Sequence, residues 1–346
     1  MSHSDHNTST ASIFRPASRR PASRRRMLGA SAALLLPMLL PASGWAAGSY
    51  PSKAVTLVVP YTPGGPTDIV GRALGQALSQ KWGQSVIIEN RPGAGGNIGS
   101  AYVARSAPDG YTLVLGVTGS HAINKWLYKS LPYDPQKDFA AVSLAVVYSN
   151  VIVANPKFPA NNLKELVALA QKNPGKYSYG SDGNGSASHL SMELLKERGK
   201  FNIVHVPYRG SAPLLNDVVG GTIPLGITGL PSAGPLIEGG KLKVIGLTTA
   251  KDYSGHNYPT IESQGFPDFD IAPFSAVFAP KGTPSAIVDK ISADIRDVMS
   301  QPAMKERMAK LGLMPMPTTP EETQKFLAKQ IAEWQKAVKI SGASIN

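Results

Sequence analysis

Two glycine-rich corners, Pro60-Tyr61-Thr62-Pro63-Gly64-Gly65-Pro66-Thr67-Asp68 and Glu89-Asn90-Arg91-Pro92-Gly93-Ala94-Gly95-Gly96-Asn97-Ile98-Gly99, each stand where a strand gives way to a helix. The first follows the β-branched run Val55-Thr56-Leu57-Val58-Val59 and leads into Ile69, Val70, Ala73, Leu74, Ala77 and Leu78, whose spacing predicts an amphipathic helix. A strand that turns straight into a helix points to α/β layering and leaves a helix N-terminus facing outward. Such an end carries several unpaired N–H donors and about half a positive charge, so it can seat a carboxylate or phosphate. The same glycines equally serve a tight turn with no ligand. Neither corner matches a nucleotide fingerprint. Ile98 occupies the place of the last small residue in the dinucleotide pattern, and no Gly-Lys-Ser/Thr follows the first corner.

Residues 1–48 read as an export signal. Arg15, Arg19, Arg20, Arg24, Arg25 and Arg26 precede an apolar stretch from Met27 to Leu40, then small residues from Pro41 to Gly48, with cleavage expected near 44–48. The apolar stretch falls short of the roughly 20 residues a spanning helix needs, and Pro37 interrupts it. Ser23-Arg24-Arg25-Arg26-Met27-Leu28 resembles a twin-arginine motif, although a general secretory signal has a similar front end. The whole chain carries 35 basic and 23 acidic side chains, a net +12. Without the leader's six arginines and Asp5, 29 bases face 22 acids, a net +7. That field suits small anions, but the charges are interleaved, so no nucleic-acid footprint is expected. The chain has no cysteine, which excludes disulfides, thiolate metal sites and a cysteine nucleophile. The 298 residues after residue 48 can bury a core without staples, and a periplasmic protein is expected.

Beyond the leader, apolar β-branched runs alternate with helical patterns, which predicts α/β layers with mainly parallel strands. Candidate strands are 56–59, 86–89, 112–116, 145–153, 177–180, 202–206, 225–228, 244–248 and 275–279. The last seventy or so residues read as mostly helical. Thr283-Pro284 and Thr319-Pro320-Glu321 each present a capping residue followed by proline at the first helical position.

The motifs resemble those of the periplasmic substrate-binding proteins of tripartite tricarboxylate transporters, the Bug family. The match includes Tyr50-Pro51-Ser52-Lys53, Pro63-Gly64-Gly65 with Asp68 and Arg72, the second corner through Gly99, and Ala107-Pro108-Asp109-Gly110-Tyr111-Thr112. It continues through Ser120-His121-Ala122-Ile123-Asn124, Leu131-Pro132-Tyr133-Asp134, Tyr179-Gly180-Ser181, His189-Leu190 and Val206-Pro207-Tyr208-Arg209-Gly210. The resemblance implies a two-lobed, Venus-flytrap α/β architecture with a helical C-terminal region returning to lobe one. Lobe one would be residues 49–149 and 273–346, and lobe two 150–272. It implies a small carboxylate held between the lobes by backbone donors, delivery to a two-component membrane permease, no cofactor and a monomer. A sensor that presents its ligand to a membrane receptor would share this architecture.

For lobe one the resemblance and the corner chemistry together point to Tyr61, Gly64, Gly65 and Thr67, with Asp68 capping the helix; Pro66 has no N–H to give. Ser181, Gly183, Asn184, Gly185 and Ser186 form the matching corner in lobe two. Ser120, His121, Tyr208 and Thr228 are placed at the cleft by the resemblance. Relatives commonly carry an acid at the position of Pro224 and another polar or acidic group near Thr228. Their replacement here points away from an amino-group-bearing ligand, which would want a carboxylate partner. Enzyme chemistry has little to stand on: His121, His189, His205 and His256 are not at metal-ligand spacing, and Tyr179 stands where a serine-hydrolase elbow needs its first glycine. No catalytic or metal-binding residue is expected.

Overall fold

A computed structural model of the chain describes residues 50–345, and the expected export signal lies outside them. The chain alternates from the outset through β1 (Val55–Val59), α1 (Pro66–Trp82), β2 (Val86–Asn90), α2 (Asn97–Ala104), β3 (Thr112–Val117) and the short α3 (Asn124–Leu127). β4 (Phe139–Tyr148) leads into β5 (Asn150–Ala154), then α4 (Leu163–Lys172), β6 (Ser178–Ser181), α5 (Ala187–Gly199) and β7 (Val204–Pro207). Next come α6 (Ser211–Gly220), β8 (Leu225–Gly229), α7 (Leu230–Glu238) and β9 (Lys243–Leu247). The last elements are β10 (Phe274–Pro280), α8 (Ser285–Ser300), α9 (Pro302–Lys310), β11 (Leu313–Pro315) and α10 (Pro320–Ser341).

Six strands form one sheet in the order β11-β4-β10-β3-β1-β2, and five form a second in the order β7-β6-β8-β5-β9. β1 pairs in parallel with β2 and β3, as β6 does with β7 and β8. The expectation of mainly parallel strands is otherwise corrected. β5 and β10, the strands that arrive from the other sheet, lie antiparallel to both of their neighbours, and β11 is antiparallel to β4. A strand that enters a sheet without a helical crossover from its neighbour is under no constraint to run parallel.

The apolar run 145–153 is not one strand but two, divided at Ser149 between the sheets. The backbone N–H of Tyr148 donates to the Pro273 carbonyl (3.0 Å), and that of Asn150 to Thr248 Oγ1 (3.1 Å). The two passages between the sheets therefore run side by side, joined also by the hydroxyls of Ser149 and Thr249.

α1 and α8 cover one face of the six-stranded sheet, burying Leu74, Ile291 and Ile295 against Leu57 and Leu115. α10 covers the other, where Leu327, Ile331 and Trp334 pack near Phe274 and Phe278. The start of α10 follows from its sequence. Thr319 Oγ1 accepts from the Glu322 N–H (3.3 Å), and Glu322 Oε2 accepts from the Thr319 N–H (2.8 Å), a reciprocal capping box. Thr319→Ala should cost about 1 kcal/mol, visible as a lower thermal midpoint. Thr283, by contrast, is no cap. Its hydroxyl donates to the Pro280 carbonyl (2.8 Å), and the α8 N-cap is Pro284. No helix among the described residues is long and apolar enough to cross a membrane.

Candidate functional site

Five helical N-termini converge. Gly65 caps α1, Ser186 α5, Gly210 α6 and Gly229 α7, and Thr118 precedes a π-type turn at Gly119–Ile123. All five capping residues line one small cavity of about 80 Å³ that draws on both sheets' connections. Tyr61, Thr62, Gly119, Asp182, Ser186 and Gly210 also border a neighbouring cleft of about 580 Å³. A larger open groove of about 830 Å³, beside Ile98, Tyr102 and Arg105, is lined from the six-stranded side alone.

Each converging end brings the positive pole of its peptide dipoles and donors with no helical acceptor. Among the described residues nothing accepts from the backbone N–H of Gly65, Thr67 and Asp68, of Asn184, Ala187 and Ser188, or of Gly210 and Ser211. Other expected donors are already taken. The Gly64 N–H donates to Asp68 Oδ2 (3.0 Å), Gly183 to Ser181 Oγ (3.2 Å), Gly185 to His189 Nδ1 (3.0 Å) and Ser186 to the Gly183 carbonyl (3.2 Å).

The structure sorts the expected residues into groups. Tyr61, Gly65, Thr67, Gly183, Asn184, Gly185, Ser186 and Tyr208 line one or both cavities. Tyr61 donates its hydroxyl to the Gly95 carbonyl (3.0 Å), and Tyr208 donates to Asp217 Oδ2 (2.8 Å). Burial raises the Tyr61 pKa above its ordinary value, with Tyr128 and Asp182 adding to it. Gly64 and Asp68 do not line the cavities. No side chain caps α1; Asp68 reaches back to Gly64 and receives Arg72 Nε (2.9 Å) and Asn90 Nδ2 (3.0 Å). Burial pushes the Asp68 pKa up, but hydrogen bonds from Arg72, Gly64 and Asn90 outweigh it and the carboxyl titrates below its usual value.

Ser120 and His121 are turned away from the cavities as well. The π-type turn leaves Gly119 at the wall and tucks both following side chains into the sheet, where each is 0% exposed. His121 stacks on Phe278 with ring centroids 4.2 Å apart, its Nδ1 is 2.9 Å from Ser120 Oγ, and burial pushes its pKa down to about 3. Ser181 backs the second corner through His205 Nε2 (2.7 Å), and Thr228 is buried with its hydroxyl donating to Asp182 Oδ1 (2.6 Å).

Among the cavity residues that sequence reasoning missed, two carry polar side chains of particular consequence, Asp182 and Asn150. The Asp182 carboxyl accepts from Thr228 and from Ser211 Oγ (2.9 Å) at Oδ1, and from Ser188 Oγ (2.9 Å) at Oδ2. Burial raises its pKa, and the three hydroxyls offset only part of the shift. Asn150, the first residue of β5, lines the small cavity at 3% exposure with a side-chain Nδ2 that has no partner among the described residues. In the sequence Asp182 reads as one more turn residue in a Gly/Ser loop, and Asn150 lies inside a run that reads as continuous strand.

Known proteins share this fold. Residues 70–342 match the family model described as "Tripartite tricarboxylate transporter family receptor". The chain is 35% identical over 302 residues to protein BugT of Bordetella pertussis, covering 86% of this chain and 92% of that one. An R. palustris protein solved with adipate is 36% identical with a TM-score of 0.83, the match covering 85% of this chain and 99% of the other. MatC from Rhodopseudomonas palustris, with bound malate, is 32% identical with a TM-score of 0.77, over 84% and 100% of the two chains. The fold is thus the two-lobed periplasmic-binding-protein architecture expected from the sequence, with the C-terminal helical region packed back on the six-stranded sheet.

Proposed function

We propose, from the premise that this chain belongs to the tripartite tricarboxylate transporter receptor family, that it is a periplasmic solute-binding protein. It captures a small carboxylate, a di-, tri- or aromatic carboxylic acid, between two lobes and hands it to a two-component membrane permease. Lobe one comprises residues 49–149 and 273–346, lobe two 150–272, and the chain acts as a monomer without a cofactor. The observation that carries this reading is the convergence of five helical N-termini, with unpaired amides at α1, α5 and α6, on one cavity. Such a seat favours a carboxylate. The ligands named for the two R. palustris relatives, adipate and malate, are both dicarboxylates, which supports the ligand class.

Ligand that contacts both lobes binds the closed form best and shifts the ensemble toward it. Binding therefore stabilises the fold, by about 2.7 kcal/mol at a ligand concentration a hundredfold above Kd. A thermal-shift panel of dicarboxylates, citrate, aromatic acids and acidic amino acids tests the reading. At least one is expected to raise the midpoint by several degrees; a flat response to every carboxylate would remove the support for a carboxylate receptor.

A further inference from the structure

Resting on that carboxylate reading, we infer that Asp182 and Asn150 make the site selective for a carboxylate that also bears an ammonium group. The ligand's carboxylate takes the helix-end amides and the orphan Asn150 N–H, and its ammonium takes the Asp182 carboxylate.

Asp182 is the acidic side chain that borders both the small cavity and the larger cleft. Its three protein partners are neutral hydroxyls, those of Ser188, Ser211 and Thr228, and among the described residues no Lys, Arg or His lies within ion-pair distance. Two of the hydroxyls converge on Oδ1, so Oδ2, with one, keeps acceptor capacity. A carboxylate shielded from water without a cation is costly, and a second carboxylate brought beside it raises that cost. A plain diacid therefore either meets repulsion or drives the buried Asp182 carboxyl to take up a proton, and both cost affinity, whereas an ammonium supplies the missing charge. Asn150 provides the complement. A buried amide N–H with no partner among the described residues is an unsatisfied donor, and a ligand oxygen relieves it. Pro224 and Thr228, which at first pointed away from an amino-bearing ligand, do not decide the matter, because Asp182 supplies an acid just past the end of the neighbouring strand β6 and Thr228 donates to it.

The test compares skeleton-matched pairs by calorimetry on the mature chain: succinate with aspartate, glutarate with glutamate, adipate with 2-aminoadipate, and 3-phenylpropionate with phenylalanine. Malate serves as a neutral-donor arm beside succinate and aspartate. In at least one pair the amino member is expected to bind tenfold or more tightly than its partner, and Asp182→Asn is expected to erase that preference. The inference is overturned if the unsubstituted acid binds as well or better in the wild-type chain, a comparison that needs no variant. It is also overturned if malate matches aspartate where that skeleton binds, or if the preference survives in Asp182→Asn. Those outcomes leave the carboxylate-receptor reading standing, whereas no binding by any acid removes both.

Discussion

Gly229→Ala is expected to weaken ligand binding by about ten- to a hundredfold while leaving the thermal midpoint of the ligand-free protein nearly unchanged. Gly229 ends β8 and caps α7, and its backbone (φ −62°, ψ 132°) suits any residue, so alanine brings no conformational strain. The added methyl carbon would sit 2.5 Å from Pro66 Cγ and 3.2 Å from Tyr148 Cε2. Pro66 is the first residue of α1, which covers the six-stranded sheet, whereas Gly229 belongs to the five-stranded one. The methyl is therefore a wedge between the two proposed lobes, set against a rigid pyrrolidine ring that cannot rotate aside. Overpacking of this kind costs about 1–3 kcal/mol. In the proposed mechanism the ligand-free protein escapes that cost by opening, so it falls on the closed, ligand-bound form and reduces apparent affinity. Calorimetric titration of wild type, Gly229→Ala, Pro66→Ala and the double variant checks this. Pro66→Ala should restore most of the lost affinity in the double variant. A loss that persists undiminished there would mean that the methyl obstructs the ligand and does not hold the lobes apart. Gly185 marks a second close approach, where an added Cβ would collide with Leu127, but its φ of +72° makes any substitution strained in both forms.

The ease with which this fold reads from sequence follows from where its signals are local. Thr319, Pro320 and Glu322 announce the start of α10 within four residues, and the structure has the corresponding cap. The corners at Gly65 and Ser186 likewise sit where a strand turns straight into a helix. What the sequence hid depends on long-range placement. The apolar run through Ser149 looks like one strand because nothing local records that its two halves pair with different partners, β10 and β11 on one side and β8 and β9 on the other. Strand direction was misjudged for the same reason, since β5 and β10 take their orientation from the sheet they enter.

At the candidate site, the corner residues were legible and side-chain direction was not. Tyr61, Gly65, Thr67 and Ser186 line the small cavity. The helix ends at Gly210 and Gly229 and the turn at Thr118 escaped notice because only tertiary packing aims them at one point. A shift of one residue in the turn Gly119–Ile123 decides whether a serine or a glycine faces the cavity, and the π-type winding chose the glycine. Asp182 was passed over because its significance lies in three hydroxyl partners contributed by α5, α6 and β8.

His121, buried away from the cavities, is expected to limit the protein's tolerance of acid. Its ring lies over Gly116, so closely that a Cβ there would collide with it, and its aromatic neighbours are Phe278, Phe139 and Tyr133, none of which can neutralise an imidazolium. Nε2 has no hydrogen-bond partner among the described residues, and burial lowers the pKa from 6.5 to about 3. A depressed folded-state pKa means that the unfolded chain binds the proton first as pH falls. The contribution of neutral His121 is therefore intact above pH 6.5 and is lost progressively as pH drops toward 3. At about 1.4 kcal/mol per pH unit across that window, roughly 3 kcal/mol has gone by pH 4.5 and over 4 kcal/mol at the lower limit. His205, whose pKa burial lowers to about 4 with His189 adding to it, loses stability over the upper part of the same window. Urea unfolding of wild type and His121→Gln at pH 7, 5.5 and 4.5 separates the two contributions. The variant starts less stable at pH 7, because the glutamine fills the site poorly, yet its stability should fall by about 3 kcal/mol less than that of wild type between pH 7 and 4.5. Parallel pH profiles for the two proteins would show that His121 does not resist protonation in the fold and that the acid limb has another source.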